Sequence, residues 1–453
     1  MNGGCPLVKR FPSCFGDPEE LNKLKRVLKK SLGVTLGLSL VAVGAAGQAQ
    51  AADPGVTRDK IVIGTTQPLT GPFATYKPIS DASKAYFDYV NANGGINGRD
   101  IEFVIKDDQY ADIRKTVTAT NELINQDEVF AIFGALGTAN RLAVAETLKA
   151  NGVPDVFINS GSSVFDQPRK YPRVFPYFPS YVVESKVMAQ YIKDTRSLRN
   201  LKRCLLYQEG EFGDDALRGF KAADMEFATE ASFTLAQVAQ RNMRSQIATL
   251  AGAQCDLVVL FGVTPATATA LATAAAARFS PTWMVTSVGS EPTLLEGLLS
   301  AAGVPQPKAV LNGIYTPSFL VPIEDTRNPY VRQMKRITDR AGLPWNFYTY
   351  YGINTAYVMA QALEAAGKNP TRRSLVNALQ TKSADFRSAA NVPMRITSRS
   401  HQGLLGYWMG RYDSSGTLER QNPNIYVSGN TTSSGKVSKA RFRPAGPTPR
   451  LLP

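Results

Sequence analysis

The sequence predicts an α/β protein built from two lobes, each a doubly wound parallel sheet. Three observations carry this. The chain has 453 residues, too many for one ordinary core. From Lys60 onward, short apolar β-rich runs alternate with amphipathic stretches of helical spacing. Near Tyr181 that alternation restarts, so a second sheet follows the first.

In the first half, strands are expected at Ile61–Thr65, Ile101–Ile105, Val129–Phe133 and Pro154–Ile158. Between them lie helices over 79–91, 112–126 and 139–151. Ala82, Ala85, Tyr86 and Tyr89 recur at helical spacing, and Asn93-Gly-Gly stops their helix because glycine accepts the left-handed backbone of a helix end. In the second half, strands are expected over 203–207, 233–238, 257–261, 282–286 and 309–314, and helices over 181–194, 213–226, 243–251 and 265–277. Helices over 330–341, 349–366 and 371–380 follow, then late strands at 395–397 and 404–412. The pattern repeats between the halves; the residues do not.

The first fifty residues read as an export signal. Lys23, Lys25, Arg26, Lys29 and Lys30 precede an uncharged apolar run from Ser31 to Ala46, and Ala49-Gln-Ala51 supplies the small residues of a cleavage site. The run is shorter than the roughly twenty apolar residues of a bilayer span. The signal is therefore 1–51, with cleavage expected after Ala51 and a periplasmic destination. No cysteine follows the run to take a lipid.

The whole chain carries a formal charge of +14; without residues 1–51 the balance is +10. Half of that lies beyond Asn424, in a Ser/Thr/Gly/Pro-rich stretch with five basic residues and no acid, expected as a disordered basic tail over 424–453. With no basic face interleaved with aromatics, nucleic-acid binding is not expected. A single histidine, His401, leaves no material for a Ser/His/Asp set or a histidine-based metal site. Gly134-Ala-Leu-Gly-Thr138 lacks the lysine of a phosphate-binding loop. No enzyme activity, cofactor or metal is expected. Cys204 and Cys255 begin strands that neighbour one another in a 2-1-3-4-5 sheet; the reading favours two free buried thiols, with a disulfide as the alternative.

Several motifs together resemble the leucine/isoleucine/valine-binding protein family of ABC importers. They are Gln67-Pro-Leu-Thr-Gly-Pro72 with Tyr76 after it, Asn91-Ala-Asn-Gly-Gly-Ile-Asn-Gly-Arg99 before Asp107-Asp-Gln109, Gly134-Ala-Leu-Gly-Thr138, Tyr207-Gln-Glu-Gly-Glu-Phe-Gly213 and Tyr350-Tyr-Gly352. The resemblance spans roughly 56–412. It implies the type I periplasmic binding protein fold, with a three-segment hinge joining lobe one (56–175 and 315–384) to lobe two (176–314 and 390–423). It also implies a monomer that gives its ligand to membrane permease subunits; a sensor of the same fold regulating a partner is the alternative.

The family's carboxylate-binding positions fall on Thr138, Gly161 and Ser163, and Ser162 lies between the last two. The residue chemistry agrees: Thr138 begins a helix whose terminal N–H groups favour an anion, and 159–163 follows a strand with small hydroxylated side chains. The same residues would equally serve as a helix cap and a turn. Tyr76 and Phe212 match the family's aromatic positions, and Tyr181, just after the first hinge crossing, is an added candidate wall. Where the family places an acid for an amino group, this sequence reads Trp283-Met-Val-Thr-Ser-Val-Gly-Ser290, and the nearest acid is Glu291. Val263 and Thr264 stand where the family offers a tyrosine. The expected ligand is a small carboxylate: a branched-chain amino acid or a related aromatic or aliphatic acid.

Overall fold

The computed structural model describes residues 53–431 and 434–443. The segment expected as an export signal, 1–51, and the last ten residues of the sequence lie outside them.

Lobe one is a five-stranded parallel sheet of order β2-β1-β3-β4-β5. Its strands are β1 (Lys60–Gln67), β2 (Asp100–Asp107), β3 (Ala131–Phe133), β4 (Asp155–Ile158) and β5 (Val174–Pro176). All but the first residue of β1 are buried, as expected of a parallel strand covered on both faces. Helices α1 (Lys77–Ala92), α2 (Ile113–Asn125) and α3 (Thr138–Ala150) fill the crossovers. One face packs Val62 and Ile132 against Leu123 of α2 and Val144 and Leu148 of α3. On the other face Phe87, Phe103 and Phe133 meet at ring-centroid separations of 5.3–5.8 Å.

Lobe two is a nine-stranded mixed sheet. Strands β6 (Arg203–Gln208), β7 (Thr229–Phe233), β8 (Leu257–Phe261), β9 (Thr282–Val285) and β10 (Tyr315–Ser318) run parallel. Antiparallel β11 (Gly406–Tyr412), β13 (Asn424–Ser428) and β14 (Val437–Arg441) extend it, and β12 (Leu418–Arg420) pairs with β11. The lobe's helices are α4 (Tyr181–Asp194), α5 (Glu211–Ala222), α6 (Leu235–Ala239), α7 (Arg244–Gly252), α8 (Thr264–Ala276), α9 (Pro292–Ala301) and α10 (Pro307–Leu311). The chain then returns to lobe one for α11 (Pro329–Arg340), α12 (Phe347–Ala365) and α13 (Arg372–Lys382). Helix α12 lies against α1 at Gly352, where any Cβ would come within 2.2 Å of the Ile79 carbonyl oxygen.

The structure corrects several expectations. The strand expected at 233–238 is β7, ending at Phe233. Residues 235–239 are helical because Thr234 and Gln237 form a reciprocal capping box. The strand expected at 309–314 is the short helix α10, entered through Pro307, and the strand follows at 315–318. Residues 315–318 therefore belong to the sheet of lobe two, not to lobe one, and the chain crosses back only after Ser318. No strand forms at 395–397, where an isolated bridge joins Thr397 to Ser400. The stretch expected to be disordered from 424 is ordered through much of its length: β13 and β14 form a hairpin on β11. Its composition is polar, but Ile425 and Tyr426, each 1% exposed, fix β13 to the sheet. The outer strand β14 carries Lys439 and Arg441, charges that suit an edge.

Cys204 and Cys255 form a disulfide, with Cα atoms 5.9 Å apart. The reading that favoured free thiols is overturned by register: Arg203 of β6 faces Leu257 of β8, so Cys204 lies beside the segment that carries Cys255.

Candidate functional site

Between the lobes lies a narrow cavity of about 20 Å³, drawn tight around the side chains that line it. Its walls come from the carboxyl ends of strands in both sheets, where open α/β sheets place ligands, and from the start of α12. Six aromatic side chains line it: Tyr76, Phe178, Tyr181, Phe347, Tyr348 and Tyr351. Ile79, Leu136 and Val288 add aliphatic surface, Asn159 and Ser287 are the polar members, and no charged side chain contributes.

Tyr76 joins the two lobes. It closes a short 3-10 turn ahead of α1, and its hydroxyl donates to the Val288 carbonyl (3.2 Å) and accepts from the Thr264 N–H (2.9 Å). Tyr348 of α12 stacks beside it, with centroids 5.0 Å apart, and its hydroxyl donates to the same carbonyl at 2.8 Å. The Thr264 hydroxyl lies 2.5 Å from that of Tyr348. Thr264 begins α8 of lobe two, so one hydroxyl cluster holds the lobes together at the mouth of the cavity. The site is seen closed.

Thr138 begins α3, and its hydroxyl sits 2.7 Å from that of Ser160. The Ser160 oxygen also accepts the Ser162 N–H at 3.2 Å. Gly161 is required here, because a Cβ would fall 2.1 Å from the Pro179 carbonyl and 2.9 Å from the Tyr181 ring. The Ser162 hydroxyl is buried without a hydrogen-bond partner. Asn159 projects into the cavity with its amide fixed: it donates to the Gly134 carbonyl and accepts from Tyr351, both at 2.6 Å.

Of the nine residues singled out from the sequence, Tyr76 and Tyr181 line the cavity. Thr138, Gly161 and Ser162 lie in the two loops that supply Leu136 and Asn159. Phe212 stands behind the wall, against Tyr181 at 4.6 Å and Phe261 at 5.0 Å. Ser163 is occupied elsewhere: its N–H and hydroxyl donate to Asp215 of lobe two at 2.7 and 2.6 Å. Asp215 is buried and forms this cross-lobe contact because Ser163 presents both donors to it.

Glu291 faces a second, neighbouring cavity that includes Trp408 and Tyr412. It is the N-cap of α9, accepting the Leu294 N–H at 2.6 Å, so the cap sets its direction. Burial pushes its carboxyl up to about 7.

The sequence reading missed Glu184. This acid on α4 is fully buried; it accepts the Ser287 N–H at 2.6 Å and the Thr286 hydroxyl at 2.8 Å, directly behind the cavity wall. An acid inside the apolar run Tyr181-Val-Val-Glu-Ser was the available signal. Burial pushes its carboxyl from 4.5 to about 7, against the opposing pull of those donors. An acid raised in the folded state binds its proton more tightly there than when unfolded, so its contribution favours folding at low pH and is lost as the pH rises from about 4.5 to about 7. Glu184→Gln is expected to remove on the order of 2 kcal/mol of the stability change across that window. Urea unfolding at pH 5 and pH 7 measures it; identical differences between the two pH values in both proteins would contradict it.

Comparison with known proteins places these features in context. The family model described as periplasmic binding protein matches residues 60–417. A Leu/Ile/Val-binding protein homolog from Brucella suis is 23% identical over 335 residues, covering 74% of this chain and 84% of that protein. A substrate-binding periplasmic protein from Ralstonia solanacearum superposes with a TM-score of 0.70 at 25% identity, covering 80% of this chain and 99% of that one. A fatty acid ABC transporter substrate-binding protein from Thermomonospora curvata gives 0.69 at 22% identity, covering 86% and 94%.

Proposed function

This chain belongs to the periplasmic binding protein family, and on that premise we propose that it is an exported, non-catalytic receptor that closes on a small carboxylate and delivers it to the membrane permease of an ABC importer. The observation that carries the ligand reading is the lining of the cleft: six aromatic and three aliphatic side chains, two neutral polar ones, and no charge. Such walls suit an apolar or aromatic body. The carboxylate is assigned to the Thr138–Ser160–Ser162 corner. There the first turn of α3 and the serine hydroxyls offer donors without adding a cation to neutralise.

The relative from Brucella suis is named for leucine, isoleucine and valine, but an α-ammonium group buried in this cleft would need a charged acceptor. Leaving it unpaired costs several kcal/mol. Glu291 faces the neighbouring cavity, and Oε1 of Glu184 is spent on Thr286 and Ser287. Aromatic or aliphatic acids without an amine are therefore expected to bind at least as tightly as the branched-chain amino acids. A thermal-shift panel of both classes tests this. Thr138→Ala is expected to weaken every carboxylate about tenfold, the scale of a lost hydrogen bond to a charged group. If only branched-chain amino acids stabilise the protein and Glu291→Gln abolishes that effect, Glu291 is the ammonium partner and the amine-free reading is wrong.

A further inference from the structure

A second groove lies away from the cleft, between residues 391–405 and the hairpin of β13 and β14, with a volume of about 790 Å³. Its floor is apolar: Val392, Leu405, Ile425 and Val427. Around it stand Arg395, Arg399, Arg441 and Arg443, all exposed and none in an ion pair among the described residues. Asp166, the acid in this lining, is already engaged. It accepts from the Ser400 hydroxyl, the His401 and Gln402 N–H groups and the Thr431 hydroxyl.

Two buried amides belong to the segments that bound the groove. Asn391 is 1% exposed with neither Nδ2 nor Oδ1 hydrogen-bonded; Gln402 is 1% exposed with Oε1 unpartnered. Leaving buried polar atoms unpaired costs about 1–3 kcal/mol each, and both residues border the groove. A ligand with an anionic head and an apolar body meets every feature. Arginine forks take the head in paired hydrogen bonds, and the floor covers hydrocarbon.

We propose that this groove is a second ligand site, for a free single-chain amphiphilic anion: a carboxylate or phosphate head on an alkyl or aryl body. The groove is a recess between two segments, which suits one inserted molecule more than a bilayer surface.

Octyl phosphate below its micelle concentration is the probe, titrated calorimetrically into the protein beside inorganic phosphate and vesicles containing phosphatidylglycerol. Octyl phosphate is expected to bind at least tenfold more tightly than inorganic phosphate. Arg441→Gln/Arg443→Gln, at two exposed positions, is expected to weaken it at least tenfold. Thr138→Ala, in the cleft, should leave it unchanged. The proposal is overturned if octyl phosphate does not bind, if inorganic phosphate binds as well, or if the arginine pair can be replaced without loss. It is equally overturned if Thr138→Ala abolishes the binding, or if the vesicles bind through the same arginines and octyl phosphate does not.

Discussion

Arg141→Met is expected to lower the unfolding free energy by about 3–5 kcal/mol, the cost of stranding one member of a buried ion pair. Arg141 projects from α3 and is fully buried; its Nε and Nη2 lie 2.9 and 2.8 Å from Oδ2 of Asp155 at the start of β4. Burial pushes the Asp155 carboxyl above its ordinary value, and the guanidinium pulls it back down. Without Arg141 that carboxylate would remain in the core with no cation, and it would take up a proton to escape. The penalty of the single substitution should therefore shrink as the pH falls. Arg141→Met/Asp155→Leu should recover most of the loss, because an apolar pair of similar volume removes the stranded charge. Urea unfolding of both variants decides it: a single variant within about 1 kcal/mol of the parent, on the scale of an exposed ion pair, would contradict the account. The pair has a functional bearing, since it anchors the helix whose first residue is Thr138.

The second large effect is expected from the disulfide. Cys204 and Cys255 are separated by 51 positions, and closing a loop of that length restricts the unfolded chain by about 4 kcal/mol in the chain-entropy model. Measured values for disulfides run from about 2 to 4 kcal/mol, so Cys204→Ala/Cys255→Ala should lose an amount in that range. Dithiothreitol should destabilise the parent protein and leave the double variant unchanged. Two free thiols titrated in denaturant without reductant would show that the bond is absent in solution. The bond lies in the sheet of lobe two, between β6 and the segment entering β8, away from the residues that line the cleft. Its loss should cost stability and leave ligand selectivity intact.

The long helices and the buried parallel strands were legible because their patterns are unambiguous. Tyr181–Asp194 and Leu257–Phe261 lie where the sequence placed them. Short elements were not. Leu235–Ala239 and Pro307–Leu311 are five residues each, too short for periodicity to separate helix from strand; a capping box starts the first and a proline in the first turn the second. The pairing of β13 with β14 was hidden by composition, since a few buried residues in β13 outweigh a polar average. In the site, the residue types that could meet a carboxylate were visible in Thr138 and the 159–163 loop. The direction of a side chain was not. Ser163 turns to Asp215 because that acid arrives from the other lobe, and Glu291 is turned away by its own cap. The cross-lobe bonds of Tyr76 with Thr264 and Val288 join positions 188 and 212 residues apart, beyond any local pattern. Glu184 escaped notice because its partners come from the segment after β9, about a hundred residues further on.

The central claim is that a ligand is held by closing two lobes, with the hydroxyls of Tyr76, Thr264 and Tyr348 meeting only in the closed state. Small-angle X-ray scattering tests it most directly, with and without the carboxylate that stabilises the protein best. The account predicts a larger radius of gyration for the unliganded protein and, at saturation, a decrease to the value calculated from the closed lobes described here. An unchanged radius at a concentration where calorimetry shows the site filled would contradict it and point to a rigid, preformed pocket.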